Sequence, residues 1–211
     1  MIGDTLTYFK SYDQIIEHAL SALGEGINHR PCIGIAGESG CGKSSLAHAF
    51  KIYIEREYSK KVLVLHQDDY FHLPPKDNHN KRLKDITHVG PQEVDLSTMK
   101  QNLLAFKGDL SSAKKPLVDY HKNTITTVDI APRDYDVCVV EGTYALHLDP
   151  LDLKIFMEKT YLETKVLREK RGRDEMSNFN EQVLNIEHHI VKKQYDNAQL
   201  IVHNDLTTTK R

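Results

Sequence analysis

Apolar positions along the chain change their period several times, and each change predicts an element. Ile15, Ile16, Ala19, Leu20 and Leu23 recur at helical spacing behind Ser11-Tyr12-Asp13-Gln14, which has the S-x-x-Q form of a capping box; Gly24 and Gly26 end the pattern. Residues 31–36 are strand-like, with Ile33 and Ile35 alternating with small residues. A glycine-rich turn follows, then a helix over 43–58 carrying Leu46, Ala49, Phe50 and Tyr53. Val62-Leu63-Val64-Leu65 is apolar without alternation, the pattern of a strand buried on both faces of a parallel sheet.

The stretch 72–91 is polar and contains Pro74-Pro75, so it is expected to be a long loop, and loops of that length are often functional. A helix is predicted over 91–107 with Val94, Met99, Leu103 and Leu104 inward, then short β pieces at 116–120 and 124–130. Buried strands are expected at 137–140, 154–157 and 200–202. Helices over 163–170 and 179–197 flank a basic, glycine-containing link. Strands alternating with helices give an α/β fold: a central parallel sheet with helices on both faces. Residues 1–29 are expected as a helical extension and 30–211 as the main domain.

Composition narrows the function classes. The 211 residues suit one domain; 39% hydrophobic residues exclude a disordered chain, and a mean hydropathy of −0.51 fits a soluble protein. No apolar run approaches the roughly 18 residues of a membrane span. Residues 1–10 lack the basic-then-apolar layout of a secretory signal. Cys32 and Cys138 lie in apolar runs, as reduced core thiols of a cytoplasmic protein would. Lys plus Arg number 28 against 30 Asp plus Glu, so the basic excess of a general nucleic-acid binder is missing.

Gly37-Glu38-Ser39-Gly40-Cys41-Gly42-Lys43-Ser44 matches G-x-x-x-x-G-K-[ST], between a predicted strand and a predicted helix. This is the phosphate loop of a P-loop NTPase fold. Its glycines let backbone N–H groups turn toward an anion, and the helix N-terminus adds the positive end of its dipole. Lys43 is expected to neutralise β/γ-phosphate charge and the Ser44 hydroxyl to hold Mg²⁺; Ser45 follows in the first turn. Cys41 is either a thiol made acidic by the helix N-terminus and Lys43, or a small residue the loop tolerates.

Asp68 and Asp69 follow the second apolar strand, where ligands of such sheets bind, and a carboxylate there suits a base for an acceptor hydroxyl. Glu141-Gly142 closes the strand at 137–140: an acid suited to Mg²⁺, then a glycine expected to allow close approach. Arg168-Glu169-Lys170-Arg171-Gly172-Arg173-Asp174 has the make-up of a lid that folds over phosphates.

With these motifs the chain resembles the uridine kinase/phosphoribulokinase family of P-loop kinases. The resemblance rests on 37–44, Gln67-Asp68-Asp69-Tyr70-Phe71, Pro116 and Asp119, Val139-Val140-Glu141-Gly142, 168–174 and 198–202, in the family's order. It implies ATP as phosphoryl donor with Mg²⁺, and Asp68 as general base and metal contact. It further implies Glu141 at the metal, and Arg168, Arg171 and Arg173 in an arginine lid around 168–178. The acceptor side departs from the uridine kinase pattern. Val89 stands where the family's N-F-D-H-P has its acid, and Pro116-Leu117-Val118-Asp119-Tyr120-His121-Lys122-Asn123 lacks the Tyr and His of P-x-Y-D-F-x-x-H. Tyr70, His88, Tyr120, His121 and Lys122 remain candidate acceptor contacts. Twelve histidines occur without H-E-x-x-H or zinc-spaced cysteines, so structural zinc is not expected.

The expected activity is transfer of the γ-phosphoryl of ATP to a hydroxyl of a small-molecule alcohol, a nucleoside first. The alternatives are another sugar- or vitamin-like alcohol (nicotinamide riboside, pantothenate, glycerate, ribulose 5-phosphate) or a nucleotide-dependent switch without acceptor. A guanine-reading N/T-K-x-D motif is not found. The N-terminal helix is expected either over the sheet or in a homo-oligomer interface.

Overall fold

Strand order in the central sheet is β2-β5-β1-β6-β7-β8, formed by β1 (Cys32–Gly37), β2 (Val62–His66), β5 (Val137–Glu141), β6 (Leu153–Met157), β7 (Leu200–Val202) and β8 (Thr208–Lys210). The first five are parallel and β8 closes the far edge antiparallel to β7. The structure is a computed structural model that describes residues 2–3, 6–171 and 177–211, the side chains of Lys170 and Arg171 excepted. Arg173, Asp174 and most of the expected lid link therefore lie outside the described residues.

Alternate side chains of each strand feed two cores. Ile33, Ile35, Val137, Val139 and Ile155 enter one with α1 (Tyr12–Ala22) and α2 (Lys43–Tyr58). Cys32, Ala36, Leu63, Leu65, Cys138 and Val140 enter the other with α4 (Leu96–Lys107) and Val191 at the end of α6 (Asn178–Val191). Cys32 and Cys138 face each other across β1 and β5 as free, fully buried thiols. Among the described residues no helix is long and apolar enough to cross a membrane.

Four local expectations change. Ser11 makes no side-chain cap; the Tyr12 and Asp13 amides donate instead to the carbonyls of Phe9 and Lys10, and α1 is secured by burying Ile15, Ile16 and Ala19 in the first core. The stretch expected as a loop contains α3 (Pro75–Lys84), with Pro75 in its first turn, where a missing N–H costs nothing. The helix expected from 91 begins at Leu96, capped by Asp95, whose carboxylate accepts from the Thr98 amide at 2.9 Å. The β pieces form a separate antiparallel hairpin, β3 (Ala113–Asp119) with β4 (Thr124–Ile130), and a single bridge joins Ile2 to Asp119.

Candidate active site

β1 ends at Gly37 and α2 begins at Lys43, so the phosphate loop turns the chain from strand to helix at the carboxyl edge of the sheet. Gly40 and Gly42 take φ of +80° and +102°, values that side chains rarely adopt. A Cβ on Gly40 would lie 2.7 Å from Arg168 Cγ and 3.1 Å from Thr164 Cβ, so the lid helix α5 (Lys165–Arg171) and the turn before it rest directly on the loop. Lys43 is buried and its ammonium donates to the Glu38 carbonyl at 2.8 Å. Arg168 is only 5% exposed, yet its Nε has no hydrogen-bond partner. A buried cation with an unused donor, above a glycine cradle and a helix N-terminus, fits a polyphosphate. Burial pushes the Cys41 thiol up and outweighs Lys43, which favours a small residue the loop tolerates over an acidic thiol.

Glu141, at the end of β5, lies opposite Ile35 of β1 and His66 of β2. His66 Nδ1 is 2.8 Å from Glu141 Oε1. Burial pushes the Glu141 carboxyl up, but the His66 hydrogen bond and charge, with Lys43 and a hydrogen bond to Ser44, hold it below its ordinary value. A carboxylate hydrogen-bonded to the Ser44 hydroxyl is an oxygen donor set that suits Mg²⁺. Gly142 does allow a close approach. A Cβ there would lie 2.2 Å from Gln67 Cβ, so the close approach is by Gln67, whose Oε1 accepts from the Tyr144 amide at 2.7 Å.

The two aspartates after β2 separate in role. Asp69 is fully buried; it accepts from the Val118 amide at 3.0 Å and from Lys115 Nζ at 2.9 Å, which fastens the hairpin to the sheet. Asp68 lines a cleft of about 170 Å³ with Ser39 and Arg168 at its phosphate side and Phe71, Val118 and Tyr120 beyond. The Tyr120 hydroxyl is 3.4 Å from Asp68 Oδ2. α3 supplies Asn78, His79 and Arg82 to the same cleft, and α6 supplies Asn180 and Glu187. Arg82 is held by Glu93 and Glu187, with NH2 3.0 Å from an oxygen of each.

The structure thus brings Ser39, Asp68, Tyr120 and Arg168 to one cleft, and groups Lys43 and Ser44 with Glu141 at the carboxyl edge of the sheet. Other candidates fall elsewhere. Tyr70 is a core residue whose hydroxyl donates to Asn102 Oδ1 at 2.8 Å. His88 stands behind the cleft, with Nε2 3.2 Å from Asn78 Oδ1. His121 and Lys122 are exposed, because Asp119 Oδ1 draws both their amides into the hairpin turn at 3.0 and 3.1 Å. The cleft residues of α3 and α6 were missed because their elements carry no phosphate or metal motif.

The sequence model of the phosphoribulokinase/uridine kinase family matches residues 32–209. A uridine kinase from Bacillus mycoides is 31% identical over 183 residues, covering 76% of this chain and 77% of that protein. A bifunctional alpha-galactosidase/sucrose kinase from Mediterraneibacter gnavus is 28% identical over 213 residues, covering 94% of this chain and 23% of that protein. In fold, the chain resembles the structure of a "possible uridine kinase" from Bacillus stearothermophilus, with a TM-score of 0.66, 16% identity, and coverage of 90% and 96% of the two chains. That last likeness speaks for a P-loop kinase fold alone. The chain is a phosphotransferase with an alcohol group as acceptor, and it belongs to the phosphoribulokinase/uridine kinase family.

Proposed function

We propose that the chain transfers the γ-phosphoryl of ATP to a hydroxyl of an uncharged small alcohol, a nucleoside or a comparable sugar. The observation that carries this reading is the single cleft running from Ser39 and Arg168 to Asp68 and Tyr120. Bound Mg-ATP supplies the electrophilic phosphoryl group. Asp68 accepts the proton of the acceptor hydroxyl, and Tyr120, within 3.4 Å of it, keeps that carboxylate aimed. Lys43 and Arg168 offset charge on the phosphoryl oxygens, with Ser44 and Glu141 as the Mg²⁺ ligands and Asp68 beside them. Packed on the phosphate loop, Thr164 and Arg168 help keep water from taking the place of the acceptor.

The charge of the acceptor side supports a neutral acceptor. Arg82 is answered by Glu93 and Glu187, and Asp68 adds a further carboxylate. Among the described residues no cation at that end is left over for a carboxylate or phosphate of the acceptor. Uridine and sucrose, in the relatives' names, are both uncharged. Initial rates with Mg-ATP on uridine, cytidine and neutral sugars, against glycerate and ribulose 5-phosphate, test this. A neutral acceptor is expected to lead by about 10-fold or more in kcat/KM; a phosphorylated or carboxylated acceptor in the lead would overturn it.

A further inference from the structure

Glu38 is a buried carboxylate inside a loop built to hold an anion, and nothing in phosphate binding calls for it there. Its side chain is 7% exposed and is turned to the lid. Oε2 accepts from the Tyr161 amide at 2.7 Å, and Oε1 is 2.6 Å from His188 Nδ1 on α6. The Tyr161 and His188 rings meet edge to face, with centroids 5.9 Å apart. One carboxylate therefore holds both arms of the lid, the turn before α5 and the body of α6.

The carbonyl of the same tyrosine carries the consequence. The Tyr161 carbonyl accepts from Arg168 NH2 at 2.9 Å, and Thr164 Oγ1 donates to the Ser39 carbonyl at 2.8 Å. We propose that Glu38 is a positioning residue: through the backbone of Tyr161, whose N–H it holds and whose carbonyl takes Arg168 NH2, it sets Arg168 over the phosphate loop, leaving the Arg168 Nε free for the transferring phosphoryl group. The inference rests on the phosphotransferase reading of the cleft and adds a residue that acts through Arg168 rather than on substrate.

A double-mutant cycle tests it on the full chain. Glu38→Ala should lower kcat about 10- to 100-fold, the worth of a charge-assisted hydrogen bond, with a smaller change in KM for ATP. In an Arg168→Ala background, Glu38→Ala should cost little more, because its effect passes through Arg168. Glu38→Gln should recover most of the loss, since its amide oxygen still accepts from Tyr161. Hydrogen exchange of the Tyr161 amide should quicken in Glu38→Ala, and that readout needs no acceptor, so it stands even where the acceptor reading fails. Losses that multiply in the double variant, or an unchanged Tyr161 amide, would overturn the proposal.

Discussion

The Arg82 guanidinium grips Glu93 with two donors, Nε to Oε2 at 2.5 Å and NH2 to Oε1 at 3.0 Å. Glu93 has no exposed surface, and the Asn78 amide at 2.7 Å and the Gly90 N–H at 2.7 Å complete its shell. Because the same NH2 reaches Glu187 on α6, this one cation ties α3 to α6 across the cleft. Removing it strands a buried carboxylate. Arg82→Ala is expected to destabilise the fold by about 3–5 kcal/mol in urea titrations. Arg82→Lys should recover part of that but not the two-pronged contact. A loss below about 1 kcal/mol for Arg82→Ala would mean that Glu93 is satisfied without it.

Gly40→Ala tests whether lid and loop meet as described. The new Cβ would sit 2.7 Å from Arg168 Cγ on a backbone at φ +80°. Nucleotide affinity and turnover should both fall, while the melting temperature changes little, because the strain lies at the site and not in either core. Calorimetric titration with an ATP analogue reads the first effect. Wild-type affinity would place the lid elsewhere.

Asp95 gives the fold an acid-sensitive contribution. Partial burial pushes its carboxyl up, but the Thr98 hydroxyl and amide hold it below its ordinary value of 3.8. A carboxyl lowered in the folded state contributes fully above its unfolded pKa, and the contribution is lost as pH falls through the folded one. Asp95→Ala should therefore cost about 1 kcal/mol at neutral pH, the usual worth of an N-cap. The gap from wild type should shrink as pH falls below 3.8 and through the lower folded value. A gap independent of pH would assign the loss to packing.

What the sequence made legible was local. The phosphate loop, the strand ends at Asp68 and Glu141 and the parallel sheet follow from short motifs and from apolar runs within single elements. α3 was hidden because its inward face is polar: Asn78 and Arg82 turn to Glu93, while its single leucine, Leu83, is 53% exposed. The hydrophobic period that would announce a helix is missing there. β8 is three residues with no buried member, held by pairing to β7, and its sequence carries no signal of its own. The Glu38–His188 contact joins residues 150 apart in the chain, so only the fold could bring them together. The acceptor candidates fared unevenly for a related reason. Tyr120 reached the cleft, whereas the Asp119-capped turn carried His121 and Lys122 away from it.

The assignment of Asp68 as the base that admits an alcohol to the phosphoryl group is tested most directly by single-turnover transfer from Mg-ATP to the best neutral acceptor, in wild type and Asp68→Asn. The substitution keeps the shape of the side chain and removes its capacity to take a proton. Transfer should slow by about 10²- to 10⁴-fold with ATP affinity retained. Transfer at the wild-type rate in Asp68→Asn would contradict the account.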